Sequence, residues 1–256
     1  MTRGLKNRKL TIRSFIWTLV LVWLCYYVLL SNNGLHFLFE DKIWAHRVNS
    51  TEKYAETKTM FSGVEIDVIY DTTKGVFDVN HPPAPSINLS LLELLKTKSL
   101  DNENRYWLDY KNLDSTNVEV SINRLNSIVK DLNLSKSAII VESNAPKYVS
   151  WFTKEGYQTS YYLPNDLYMM NATQLNTRIL SLKDDLSNYD ISFISADHRN
   201  YKLLRSKFPN KEILTWKLGK QGHLDKIKTR LRVYKLALDK KVKVILISYD
   251  SKLGNR

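Results

Sequence analysis

The sequence predicts an α/β fold, a (β/α)8 TIM barrel preceded by an N-terminal transmembrane helix. Three observations lead there. Short apolar runs alternate with helical patterns in units of roughly 25–35 residues, as parallel strands joined by crossover helices do. The runs around Trp44, Glu65, Trp107, Ile140, Tyr161, Phe193, Leu214 and Ile245 make eight strands in about 215 residues, the size of a compact eight-stranded barrel. Ahead of them lies a long uncharged stretch behind a basic cluster. An open doubly wound sheet is the competing architecture. No glycine-rich phosphate loop follows any strand, and the chain has only 8 Gly, with no G-x-G-x-x-G pattern.

The N-terminal segment comes first. Arg3, Lys6, Arg8, Lys9 and Arg13 form a basic start, and no Asp, Glu, Lys or Arg occurs from 14 to 39. At 1.5 Å per residue such a helix is long enough to cross a hydrocarbon core of ~30 Å. The run F-I-W-T-L-V-L-V-W-L-C-Y-Y-V-L-L lacks the small-residue cleavage site of a signal peptide. It reads as an uncleaved signal anchor. The basic flank predicts a single-pass topology with the rest of the chain on the extracytoplasmic side. The expected division is 1–41, basic tail and anchor, and 42–256, barrel domain.

Within the barrel region the run at 43–45 opens the first strand. Residues 63–70 (G-V-E-I-D-V-I-Y) alternate like a strand, and 76–79 form a short run ending at His81-Pro82-Pro83. A short helix is expected over 89–95 and a strand over 105–111. The helix over 118–132 carries apolar residues at 118, 122, 125, 128, 129 and 132, which is helical spacing. Then follow a strand at 138–141 ending in Glu142, a helix over 145–155 closed by Gly156, a strand at 159–163 and a helix over 172–186. A strand at 191–195, a helix at 201–208, a strand at 213–218, a helix over 224–238 and a strand at 242–248 complete the alternation.

Composition narrows the function. The chain has 256 residues, 38 Lys+Arg against 26 Asp+Glu and a formal net charge of +12; 43% hydrophobic and 25% charged residues exclude wholesale disorder. The single cysteine, Cys25, excludes an intrachain disulfide and a cysteine-rich zinc site. The basic balance admits nucleic acid, an anionic membrane surface or a phosphate-bearing substrate. Extracytoplasmic placement and the lack of an aromatic-basic binding motif argue against nucleic acid.

In a barrel the chemistry sits at the C-terminal ends of the strands. His46 and Arg47 follow the first strand. Glu65 and Asp67, two apart, point to one face of the second. Asp109 and Lys111 repeat that spacing on the third, and His81 follows the short run between. Three carboxylates brought together in an interior need a compensating cation, and oxygen-only ligands favour Mg²⁺ or Ca²⁺. Two imidazoles at the rim can serve as acid and base. Taken singly each piece has a bland reading: a solvated E-x-D face, a surface His-Arg pair, a turn histidine, a surface ion pair. Their order along the chain is what gives them weight.

That order resembles the glycerophosphodiester phosphodiesterase and phospholipase-C-like barrel superfamily. The resemblance rests on W44-A-H-R-V-N-S50, G63-V-E-I-D-V68, V79-N-H-P-P83 and W107-L-D-Y-K111. The H-x-V-N and D-x-K forms are similar to the sphingomyelinase D branch, and the W-A-H start and H-P-P turn to the menorin-like branch. It implies Glu65, Asp67 and Asp109 as ligands of a divalent metal ion. It implies His46 and His81 as the acid/base pair, and Arg47, Lys111 and Trp216 as substrate-binding residues. The substrate would be a small phosphodiester or a phospholipid, with contact to the membrane through the N-terminal helix. Two departures stand out. Val48 replaces the glycine that usually follows His-Arg, and Pro82 replaces the aspartate after the second histidine. A catalytically silent barrel that binds a glycan or lipid headgroup is the rival reading. Glu142 and the run Asp197-His198-Arg199 are secondary candidates. The sequence does not indicate an oligomeric state.

Overall fold

The computed structural model describes residues 2–30, 32–97, 105–217, 223–249 and 251. Eight parallel strands close into a barrel: β1 (Ile43–His46), β2 (Gly63–Asp71), β4 (Arg105–Tyr110), β5 (Ile139–Ser143), β6 (Gln158–Tyr162), β7 (Phe193–Asp197), β8 (Glu212–Lys217) and β9 (Val242–Ser248). Closure is made by β9, which pairs with β1 (Trp44 opposite Leu246), while β1 also pairs with β2. These are the eight strands expected. β3 (Val76–Val79) is antiparallel to β2, a hairpin arm outside the parallel ring.

Helices α3 (Thr51–Thr57), α4 (Leu91–Lys96), α5 (Val118–Asp131), α6 (Pro146–Lys154), α7 (Ala172–Asn188), α8 (Tyr201–Lys207) and α9 (His223–Ala237) make the crossovers. Their ends follow local chemistry. Ser90 and Glu93 cap α4 reciprocally, and Asn171 and Gln174 do the same for α7. Gly156 takes φ +90 just past α6, a backbone conformation that favours glycine. α3 has no visible pattern in the sequence. Its start is set by the Ser50 side chain accepting from Lys53 N–H, and it buries only Tyr54 and Thr57, too few positions to show a period.

Two cores result. Between strands and helices lies a large aliphatic and aromatic layer. Inside the barrel Trp44, Trp107, Ile140, Phe193, Leu214, Trp216, Val244 and Leu246 pack together. Gly63 is required at the barrel floor, since a Cβ there would lie 2.3 Å from the Trp44 ring.

α1 (Thr2–Leu30) and α2 (Asn32–Phe39) precede the barrel. Leu35 is fully buried in the main core, Phe39 meets Tyr234 edge-on, and Lys42 Nζ donates to the carbonyls of Ala237 and Asp239, 2.8 Å each, at the end of α9. The transmembrane span expected over 15–30 is not found: among the described residues no helix is long and apolar enough to cross a membrane.

Candidate active site at the barrel mouth

The parallel register builds the site. Glu65 lies opposite Trp107, Asp67 opposite Asp109, and Asp109 opposite Glu142. Alternation along each strand sends all four carboxylates into the barrel. The β2–β3 hairpin then delivers His81. Asp71 at its tip accepts from Thr73 and Lys74 N–H, Val79 pairs with Val68, and Asn80 N–H donates to the Asp67 carbonyl at 3.1 Å. The chain thus returns over the end of β2.

All eight residues singled out from the sequence line one cavity of about 210 Å³: His46, Arg47, Glu65, Asp67, His81, Asp109, Lys111 and Trp216. Oxygens of Glu65, Asp67 and Asp109 lie within 4.8 Å of one another. Lys111 is ion-paired with Asp67 at 2.8 Å and with Asp109. His46 Nε2 is 3.8 Å from Glu65 and His81 Nε2 is 3.9 Å from Asp67. Arg47 Nη2 is 3.0 Å from His81 Nε2. Pro82 leaves this imidazole without an adjacent carboxylate, and Arg47 is the partner found instead.

The loop after β1 is shaped by the carboxylates. Arg47 takes φ +54 while its N–H donates to Glu65. Val48, where a glycine was expected, is fully buried and donates its N–H to the Glu65 carbonyl at 2.8 Å. The left-handed residue is therefore Arg47, and Val48 does not alter the loop in the way its lost glycine suggested. Asn49 holds Asp67 twice, donating to its carboxylate at 2.7 Å and accepting its N–H at 3.0 Å.

Burial and mutual repulsion dominate the electrostatics. Burial, then Asp67 and Asp109, push Glu65 well above the usual carboxylate range. Burial likewise raises Asp109, with Lys111 pulling the other way. Burial raises Glu142, and with the help of Asp109 it reaches about 8. Burial and the neighbouring Arg47 lower His46 to about 3, so this imidazole is neutral. Burial opposes the charge on Lys111, but Asp109 and Asp67 overcome it and raise its pKa. Two buried carboxylates and one partly buried one, with one lysine among them, form a hard-oxygen donor set short of positive charge, and a divalent cation fits that deficit.

Tyr162, Asp197 and Arg199 complete the cavity lining. Tyr162 stacks on Trp216 with centroids 5.5 Å and planes 11° apart. The seventh β-element runs to Asp197, beyond the end expected at Ser195, and Asp197 and Arg199 line the cavity. Burial alone would raise Asp197, but hydrogen bonds from His198 and Arg199 hold it well below the usual carboxylate range. Period-two counting from Phe193 marks Ser195 and Asp197 as inward, a signal lost by ending the strand early.

No protein-family model matches the chain, and no curated protein matches it by sequence. Solved structures do. A glycerophosphodiester phosphodiesterase of Parabacteroides distasonis superposes with TM-score 0.51 at 16% identity, covering 81% of this chain and 92% of its own. An Oleispira antarctica phosphodiesterase, solved with the product sn-glycerol-3-phosphate, gives 0.54 at 13% identity over 82% and 94%. An Agrobacterium tumefaciens protein assigned as a glycerophosphoryl diester phosphodiesterase gives 0.59 at 14% identity over 83% and 94%. The fold is that of the glycerophosphodiester phosphodiesterases. At this identity the likeness is one of fold.

Proposed function

We propose that this chain is a metal-dependent phosphodiesterase acting on a glycerophosphodiester-like or phospholipid-headgroup diester by histidine acid/base catalysis. The observation that carries it is the convergence of Glu65, Asp67 and Asp109 within 4.8 Å, with both histidines less than 4 Å from those carboxylates. One structural neighbour, the Oleispira antarctica phosphodiesterase, was solved with the product sn-glycerol-3-phosphate, which supports a small phosphodiester as the substrate class.

The three carboxylates would hold Mg²⁺ or Ca²⁺, which when bound supplies charge neutralisation of the diester and polarisation of its P–O bonds. Arg47 and the remaining Lys111 N–H contact the phosphate oxygens. Neutral His46 accepts the proton of the attacking hydroxyl, either water or a hydroxyl of the substrate that closes a cyclic phosphate. When Arg47 turns to the phosphate, His81 Nε2 is freed to take up a proton from solvent and deliver it to the leaving oxygen, while the proton taken by His46 passes back to solvent. Asn49 keeps Asp67 fixed during both transfers. Turnover of a panel of glycerophosphodiesters by the full chain, with divalent cation and then with chelator, tests this reading. Chelation that leaves turnover unchanged refutes the metal role.

The silent-barrel rival has one observation in its favour. Lys111 already lies between Asp67 and Asp109, which supplies part of the missing charge. Binding of a headgroup phosphate with no turnover at any metal concentration would favour it.

We also propose that α1 anchors the chain in a membrane, with the barrel on the extracytoplasmic side. Apolar side chains from Phe15 to Tyr27 are exposed around the whole helix, Trp17 at 72% and Trp23 at 64%. A helix apolar all round needs apolar surroundings. Resistance of the full chain to carbonate extraction supports the anchor, and release into the soluble fraction at uncleaved mass refutes it.

A further inference from the structure

The cavity has a second wall that the proposed chemistry does not use. Tyr162 and Trp216 form its aromatic part, and Asn165 Nδ2 fixes the Tyr162 hydroxyl at 2.6 Å. Beside them Arg199 clasps Asp197, Nε at 2.8 Å and Nη2 at 3.2 Å, while Nη1 donates to the Tyr168 hydroxyl. Between this wall and the carboxylate cluster lie Glu142 and Trp107, 1% exposed each. The Glu142 carboxyl group takes a hydrogen bond from Ser195, yet its Oε2, like Trp107 Nε1, is buried with no partner, although both residues line the cavity. Leaving such an atom unpaired costs on the order of 1–3 kcal/mol, so an orphan facing a cavity marks where a ligand's polar atom belongs.

The chemistry of the wall selects the ligand. Trp107 Nε1 only donates. Glu142 pairs with a hydroxyl in either protonation state, as acceptor when ionised and as donor or acceptor when not. Charge excludes two alternatives. Asp197 is matched by Arg199, so a quaternary ammonium finds no free anion here. Arg199 is matched in turn, so a second phosphate or a carboxylate finds no free cation. An uncharged group with several hydroxyls and an apolar C–H face satisfies both the orphan atoms and the aromatic pair.

We propose that this half of the cavity is a leaving-group subsite for an uncharged polyhydroxylated ring, a sugar or a cyclitol. Glu142 and Trp107 hydrogen-bond its hydroxyls, and the Tyr162–Trp216 pair packs against its C–H face. The inference rests on the phosphodiesterase reading and names the substrate class for it.

The test uses the full chain in detergent with a divalent cation. Four diesters share a glycerol phosphate and differ in the leaving group: myo-inositol, glucosyl, choline or ethyl. One of the first two is expected to exceed choline and ethyl in kcat/KM by roughly 10²-fold or more, since buried polar atoms reject a ligand that leaves them unpaired; which one it is separates cyclitol from sugar. Glu142→Leu should collapse that ratio to within about tenfold, and Glu142→Gln, which can still hydrogen-bond, should retain most of it. Should Glu142→Leu not fold, Tyr162→Leu at the cavity wall reads the same ratio. A preference for choline or ethyl, or a ratio untouched in the variant that folds, overturns the subsite. If no diester is turned over with any metal, the phosphodiesterase reading fails on its own, and binding decides the subsite. Calorimetric titration with inositol 1-phosphate and glucose 1-phosphate against phosphocholine supports it if either ring phosphate binds tenfold tighter, and overturns it otherwise.

Discussion

Glu65→Gln is the sharpest probe of the carboxylate cluster because it keeps shape and hydrogen bonding while removing one charge. Glu65 is 2% exposed, and a glutamine oxygen can still accept the Arg47 N–H. Two ionised carboxylates with oxygens no more than 4.8 Å apart repel by about 3 kcal/mol or more at an effective dielectric near 20. In the metal-free protein that repulsion, with burial, drives Glu65 to hold a proton, so the substitution should leave the melting temperature equal to or above wild type. With metal the order reverses. Saturating cation at 100-fold over Kd stabilises the wild type by about 2.7 kcal/mol. For a chain of this size that is an upward shift of about 5–10 °C, at roughly 2–4 °C per kcal/mol. In the variant the shift should fall below about 2 °C, because one of three anionic ligands is gone. Differential scanning fluorimetry across a Mg²⁺ and a Ca²⁺ titration reads both numbers. An equal metal-induced shift in variant and wild type, or a metal-free variant several degrees less stable, refutes the argument that these carboxylates form an uncompensated cation site.

Three further outcomes follow from the geometry. His46→Asn and His81→Asn should each lower kcat by roughly 10²–10⁴ while the metal-induced thermal shift persists, and a diester with an activated leaving group should rescue only the His81 variant. Gly63→Ala should destabilise by about 1–3 kcal/mol, read by chemical denaturation, because its Cβ meets the buried Trp44 ring; an unchanged midpoint would show that the floor can open. Asp197 has a depressed folded pKa, so its contribution to stability is present above the ordinary carboxylate range and is lost as pH falls through and below it. Asp197→Asn should therefore flatten the acid limb of the stability–pH curve, and a limb identical to wild type would remove Asp197 as its cause.

Much of this architecture was legible because the barrel obeys period two. Glu65 and Asp67 share a face by counting alone, and the register Asp67 to Asp109 then needs only parallel neighbours. What stayed hidden depends on contacts between distant segments. The His81 environment is set by Arg47 across the mouth, and no local pattern announces it. Val48 read as a lost glycine, yet the left-handed residue is its neighbour Arg47, held by Glu65 from the next strand. Tyr162 looked like one more strand residue until Trp216, 54 positions on, stacked against it. Asp197 ranked only as a secondary candidate because of an error of two residues in a strand end, enough to turn an inward carboxylate into a loop residue.

The charges at the mouth tie the metal and substrate readings together. Glu65, Asp67, Asp109 and Asp197, when ionised, face Arg47, Lys111 and Arg199 in one cavity. Glu142 at about 8 and His46 at about 3 are both neutral at pH 7. With all four carboxylates ionised, as metal binding requires, and His81 set aside, these side chains sum to one negative charge. A divalent cation turns this into one positive charge, and the single negative charge of a phosphodiester brings it to zero. A phosphomonoester dianion would leave a net negative charge buried among the same groups, which is unfavourable where water is scarce. The same sum disfavours a leaving group with a charge of its own. It therefore agrees with the subsite chemistry derived from the unpaired atoms of Glu142 and Trp107. Product inhibition separates them from coincidence: a phosphomonoester product should bind more weakly than the intact diester. A monoester that binds tighter than the diester would show that the cavity is tuned to two negative charges.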